Sequence, residues 1–222
     1  MERILHQKLI DSYIEQTHFT DFFSFPVAQD VGLWRAKAGE DILQEGLTDV
    51  GHLYYMVSGK AKIFCGTPNG KTFLLEFAQG DCFFGELELL GTRSDSMGVR
   101  AVSECVLLSL PLEKYRDLLL QDATFLRVLC TSVAEKEHRR MQSLLETQTY
   151  PVAYRLAQFI LFAAVGDVYK ERNTDASAYL GISYRHYTQV IGEFVTAGYI
   201  EKIPGGYQII DRFSLIEISK ME

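Results

Sequence analysis

Six side chains crowd the start of one short segment: Ser183, Tyr184, Arg185, His186, Thr188 and Gln189. Each can donate or accept hydrogen bonds. An arginine offers two parallel N–H groups to the O6/N7 edge of guanine, and a glutamine offers a donor and an acceptor to adenine. Lys202 further on suits a phosphate oxygen. Such a set has this meaning only on a helix that presents it to one side, so the flanking pattern matters. Tyr187, Val190, Ile191 and Phe194 recur at spacings of three and four, the apolar stripe of an amphipathic helix. Ser183 stands where it caps that helix. Before it, residues 174–180 read as a shorter helix with Thr174 or Asp175 as its cap. Small Ser177 falls at the crossing, and Leu180 and Ile182 flank the turn. Gly181 sits where the chain needs a left-handed residue. Helix, sharp turn and a second helix with a polar leading face is the layout that enters a DNA major groove. A helical hairpin that only packs is the alternative.

The surrounding elements follow from the same patterns. Residues 199–203 and 207–210 flank Pro204-Gly205-Gly206 and read as a hairpin behind the second helix, a wing that carries Lys202. Residues 212–222 form a closing tail without a clear role. Upstream, Tyr150-Pro151 breaks the chain, and residues 152–165 form a helix with Ala153, Leu156, Phe159, Ile160 and Ala163 inward. Pro111 starts a short helix through Leu120, and a long one runs from about Asp122 to Leu145. Its seam of Phe125, Leu129, Val133, Met141 and Leu144, interrupted at Lys136, has coiled-coil-like spacing and predicts a dimer helix. Glu135, Lys136, Glu137, Arg139 and Arg140 read as solvated faces.

Between residues 31 and 110 the rhythm is different. Strand-like runs at 32–37, 52–58, 60–65, 72–77, 82–83, 99–101 and 106–110 alternate with Gly, Asp and Asn punctuation. Asn69-Gly70 signals a tight hairpin. The spacing predicts an antiparallel barrel or sandwich. At the start, Ile4, Leu5, Leu9, Ile10 and Tyr13 read as one amphipathic helix, and Phe19, Phe22, Phe23 and Phe25 as an aromatic packing cluster. The chain is thus α+β, with a sensor domain over 1–120, a dimerisation helix over 121–149 and a winged helix-turn-helix over 150–222.

Composition bounds the rest. Of 222 residues 47% are hydrophobic, which supports a packed core and excludes disorder. No apolar run reaches the length of a membrane span, and the first residues lack a signal-peptide core, so a cytoplasmic location is expected. Net charge is −7, unevenly placed: residues 1–149 hold 15 Lys+Arg against 21 Asp+Glu, and residues 150–222 hold 7 against 8. That argues against coating nucleic acid and for a short specific site. Cys65, Cys82, Cys105 and Cys130 fit no compact metal pattern. No His-x-His with a following Glu occurs, which argues against a cupin-type metalloenzyme, and no enzyme activity is expected.

Strand domain, long helix and winged helix-turn-helix resemble the cyclic-AMP receptor and FNR-type bacterial transcription regulators. The specific residues are Gly80-Asp81, Phe84-Gly85-Glu86-Leu87, Val99-Arg100-Ala101, Arg155-Leu156-Ala157-Gln158 and Leu180-Gly181-Ile182-Ser183. The run from Leu180 to Tyr187 is similar to the YeiL-type branch. The resemblance implies an antiparallel β-roll like that of cyclic-nucleotide-binding domains. It also implies a homodimer on duplex DNA with two half-sites, and an activator touching RNA polymerase. Base contacts would fall to Tyr184, Arg185 and Gln189.

The departures are informative. A nucleotide-binding relative carries Arg-Ser-Ala ahead of Val99-Arg100-Ala101, and the Arg clamps the cyclic phosphate. Here that Arg position holds Asp95, followed by Ser96, with Arg93-Ser94 two residues earlier. The adenine-reading hydroxyl pair falls at Arg140 and Met141. Together with Gly85 and the ribose-ligand position Glu86, these form a degenerate effector pocket that does not bind cAMP in the usual way. The inducer stays open as a small molecule or a redox signal. Cys82, Cys105 and Cys130 match cysteines of the branch, so thiol or iron–sulfur chemistry would fall to them; Cys65 has no match. FNR-type oxygen sensing needs an N-terminal cysteine cluster, and residues 1–64 contain none. His52 reads as a strand residue rather than a haem ligand. A redox-responsive regulator, or a signalling module whose C-terminal domain contacts protein, are the alternative functions.

Overall fold

The computed structural model describes residues 1–47, 49–66, 72–91 and 96–220. They form two compact units, one of residues 1–65 and 76–138, the other of residues 66–75 and 139–222.

The first unit is built on strands β1 (Glu2–Ile4), β2 (Gly32–Ala36), β3 (Asp41–Leu43), β4 (His52–Ser58), β5 (Lys60–Gly66), β6 (Thr72–Gln79), β7 (Cys82–Phe84), β8 (Gly98–Ala101) and β9 (Cys105–Pro111). They form two sheets, ordered β1-β2-β9-β4-β7 and β3-β8-β5-β6, with antiparallel pairing in the registered ladders. This is the expected roll. Central strands read as near-continuous apolar runs because both faces are covered: Leu107, Leu108 and Leu110 on β9 are all fully buried. Helices α1 (Gln7–Thr17), α2 (Glu86–Leu89), α3 (Leu112–Gln121) and the long α4 (Ala123–Thr149) as far as residue 138 complete it.

Two left-handed turns explain glycine-bearing motifs. Gly80 and Asp81 have φ of 54° and 40°, the paired positive angles of a tight turn, and Asp81 Oδ1 accepts from the Tyr55 hydroxyl at 2.9 Å. Gly85 has φ of 90°, and a Cβ there would lie 2.9 Å from the His52 carbonyl oxygen. No other residue fits.

The N-terminus departs from expectation. Ile4 lies in β1, paired with Leu33 of β2, and the helix begins only at Gln7, capped by the His6 imidazole. Pairing with a sheet edge overrides a weak helical pattern over the first residues. Phe19, Phe22 and Phe23 do form a packing cluster: Phe23 stacks on Phe125 at 5.5 Å, and Phe83 meets Phe125 edge-on at 6.1 Å. The expected Asn69-Gly70 hairpin lies outside the described residues.

Helix α4 starts where Asp122 caps it, accepting from Thr124 N at 3.0 Å and from Ser24 N at 2.9 Å. The expected seam along it is split. Phe125 and Leu129 are buried within the first unit, and Val133 is partly so. Met141, Leu144 and Leu145 are 51–61% exposed. Lys136, expected in solvent, is 5% exposed. It occupies the helix position that continues the Phe125–Leu129 face, so the roll covers it.

The second unit holds α5 (Val152–Ala163), β10 (Val168–Tyr169), α6 (Asn173–Tyr179), α7 (Tyr184–Thr196), β11 (Ile200–Ile203), β12 (Gly206–Ile209) and α8 (Arg212–Ile218). The wing is three-stranded, β10-β12-β11. The closing tail is a helix, capped by Asp211 through Ser214 N at 2.9 Å and packed on α5. Neither Thr174 nor Asp175 caps α6. Both lie inside it, and the Asp175 carboxylate instead takes two 3.0 Å bonds from Arg172 at the cap position. No described helix is long and apolar enough to cross a membrane.

Candidate nucleic-acid interface and effector pocket

The second unit fixes α7 from behind. Tyr187, Val190, Ile191 and Phe194 are buried, as their spacing requires. The Tyr187 and Tyr169 hydroxyls meet at 3.0 Å inside the unit, and burial pushes the Tyr187 phenol up to about 12. Arg155 on α5 donates to the Leu180 carbonyl at 2.5 Å, closing the C-terminus of α6 just before the turn. Gly181 makes that turn with φ of 65°. Ser183 caps α7, its Oγ accepting from His186 N at 3.2 Å.

This leaves one polar face outward. Tyr184 is 53% exposed, and Ser183, Arg185, His186 and Gln189 are exposed with it. Thr188 is half-buried and turns its hydroxyl to the Arg185 carbonyl at 2.9 Å, so it contributes its methyl rather than a donor. The Gln189 amide donates to Glu193 Oε1 at 3.0 Å, one turn on. Sequence reasoning missed Glu193; its signal was the i, i+4 spacing from Gln189. Lys202 is exposed on β11, in register with Tyr207.

In the first unit, two of the expected effector residues, Glu86 and Ser96, are already bonded to other groups of the protein. Glu86 opens α2, and its Oε1 receives Lys136 Nζ at 2.6 Å. The same ammonium donates to the Phe83 carbonyl at 2.7 Å and lies 5.6 Å from the Phe84 ring centre. Both side chains are under a tenth exposed. Ser96 ties its segment to the one after β3, donating to the Gln44 carbonyl at 2.6 Å and accepting from Leu47 N at 3.0 Å. Arg93, Ser94 and Asp95 lie outside the described residues. Arg140 and Met141 belong to the second unit and are exposed there. Arg100 of the Val99-Arg100-Ala101 motif makes a two-pronged pair with Asp41, at 2.6 and 3.2 Å.

Residues 33–122 match the cyclic nucleotide-binding domain family. Over 202 residues the chain is 38% identical to the regulatory protein YeiL of Escherichia coli O157:H7, covering 91% of this chain and 92% of that protein. The chain belongs to the CRP/FNR family of transcriptional regulators. Its fold is that of solved family members. A CRP/FNR-family transcriptional regulator from Thermus thermophilus superposes with a TM-score of 0.67 at 22% identity, covering 85% of this chain and 98% of that one. A putative family member from Eubacterium rectale gives 0.72 at 16% identity, over 88% and 92%.

Within this CRP/FNR regulator, Lys136 is the residue that sequence reasoning misplaced. The signal was present: it is the first charge on the stripe begun by Phe125 and Leu129, and a buried charge needs a partner. His52 is a half-buried strand residue beside Trp34 and Tyr54, and burial, then Arg3, hold its imidazole below the usual range. The cysteines do not assemble. Cys82 faces Met56, Met56 faces Leu107, and Cys105 lies two residues further along β9. Two strand spacings and two residues separate them by roughly 10 Å or more, beyond disulfide reach. Burial pushes the Cys105 thiol up to about 11, against thiolate chemistry. Cys130 is exposed on α4. Among the described residues no group of three or more His, Cys, Asp or Glu is placed to hold a metal.

Proposed function

We propose that this chain is a cytoplasmic, homodimeric, DNA-binding transcription regulator whose roll does not take cAMP in the usual way. The observation that carries the DNA reading is α7 itself. Four buried side chains and the Ser183 cap hold it, while Arg185 and Gln189 face outward from its leading turns. Arg185 pairs with a guanine edge, Gln189 reads adenine, and His186 and Lys202 hold phosphates. Two-fold pairing through α4 sets two such helices on half-sites one helical turn apart. The exposed residues on the side of α4 opposite Phe125 and Leu129 support that pairing: Cys130, Ala134, Met141 and Leu145 recur there at spacings of four and seven. Promoter activation through RNA polymerase is the role expected of such a dimer.

The Glu86–Lys136 pair supports the ligand reading. A ribose hydroxyl would have to displace a charge-assisted bond that the fold already makes. A mobility-shift series over the gene's own upstream region tests the first part: salt-dependent retention of one fragment is expected, and lost on Arg185→Ala with the dimer intact. Unchanged retention by that variant would favour a protein-contacting C-terminal domain. Calorimetric titration with cAMP tests the second, and no heat of binding at micromolar nucleotide is expected.

A further inference from the structure

Gly192 stands in the interior of α7, flanked by helix on both sides. Glycine is the poorest helix former after proline, so an interior one destabilises the helix relative to alanine. Packing within the molecule does not explain it. A Cβ built at Gly192 meets nothing described within 4 Å, and the residue is exposed. Nor does it make a turn, since its φ is not among the left-handed ones.

At about 100° per residue, Gly192 is seven residues and nearly two full turns beyond Arg185, on the same line of the surface. The Gln189–Glu193 pair borders that line on one side, and half-buried Thr188 on the other. Between them runs a strip with no side chain at all at Gly192. We infer that Gly192 is the point where the α7 backbone itself lies against the edges of the base pairs. Seven residues of helix advance about 10 Å, or about three base pairs beyond the pair that Arg185 reads. A bare Cα there makes van der Waals contact with a pyrimidine C5 edge, a thymine methyl above all, and lets the helix seat deeply enough for Arg185 and Gln189 to reach. This inference rests on the DNA reading proposed above.

The test uses full-length protein and the 30-base-pair duplex that the wild type enriches from a random-sequence pool. Gly192→Ala is expected to raise the melting temperature by about 2–5 °C, because alanine favours the helix. The same variant is expected to bind the enriched duplex about tenfold more weakly, and Gly192→Leu more weakly still. A residue with only a structural role would not move the two readouts in opposite directions. Unchanged affinity in Gly192→Ala, with Arg185→Ala impaired, overturns this inference and leaves DNA reading intact. Failure of the wild type to enrich any duplex overturns both.

Discussion

Lys136 Nζ and Glu86 Oε1 stand 2.6 Å apart inside the first unit, joining the long helix to the start of α2. Each makes the burial of the other tolerable. Removing one partner strands a charge, and that costs about 3–5 kcal/mol, whereas replacing both with apolar groups of like volume is often close to neutral. Lys136→Met and Glu86→Gln are therefore each expected to shift the urea midpoint of the full chain strongly downward. The Lys136→Met/Glu86→Leu double variant should recover most of the loss. Additive losses in the double variant would show that the two side chains act separately.

Much of this architecture was legible in the sequence, for identifiable reasons. Tyr187, Val190, Ile191 and Phe194 announce the helix they belong to because one face of it is buried and the other is not. Gly181 announces its turn because glycine takes a left-handed angle at the least steric cost. What was not legible depended on partners distant in sequence. Lys136 reads as solvated on its own helix, since its carboxylate lies 50 positions earlier. Ile4 reads as helical because the edge of β2 that claims it comes some thirty residues later. Phe125 and Leu129 have coiled-coil spacing, yet their partners are in the same chain. The pocket was half legible. The departure of Asp95 from the arginine that the resemblance implies is a reading of the sequence at a position outside the described residues, and the ammonium that pairs with Glu86 was not legible at all.

Asp122 gives the first unit a pH-dependent element. Burial raises its carboxyl, but hydrogen bonds from Ser24, Thr124 and Phe125 outweigh that and hold it below the usual carboxylate range. A lowered folded value means the ionised form stabilises the fold. That contribution is complete above the unfolded value near 4 and is lost as pH falls through the folded one. Asp122→Asn keeps a capping oxygen and removes only the charge, so near neutrality it should cost less than the roughly 1 kcal/mol that loss of the whole cap costs. Melting curves of the two proteins should converge on acidification below about pH 4. A gap that stays constant down to the acid limit would mean the carboxylate charge is irrelevant.

The split seam on α4 separates folding from association. Met141 and Leu145 are exposed in the protomer, whereas Phe125 is fully buried in the first unit. Under the proposed pairing, Leu145→Asp places like charges across the two-fold axis and should yield monomers in sedimentation while leaving the protomer folded. Phe125→Leu should do the reverse, lowering the melting temperature through a cavity without changing the mass. If Leu145→Asp still sediments as a dimer, some other surface joins the chains.

Glu193 bears on selectivity rather than grip. It holds the Gln189 amide and adds a negative charge to the face proposed to approach DNA. Glu193→Ala frees the glutamine and removes a repulsion from phosphate, so affinity for random duplex should rise slightly. Preference for the enriched duplex should fall, by up to the 1–3 kcal/mol that a well-held side chain contributes at one base pair, or about 5- to 150-fold. Gln189→Ala should lose the same preference without the gain on random DNA. Competition binding at fixed salt separates the two. Equal loss of affinity for every duplex in Glu193→Ala would instead make the carboxylate a plain structural tie along α7.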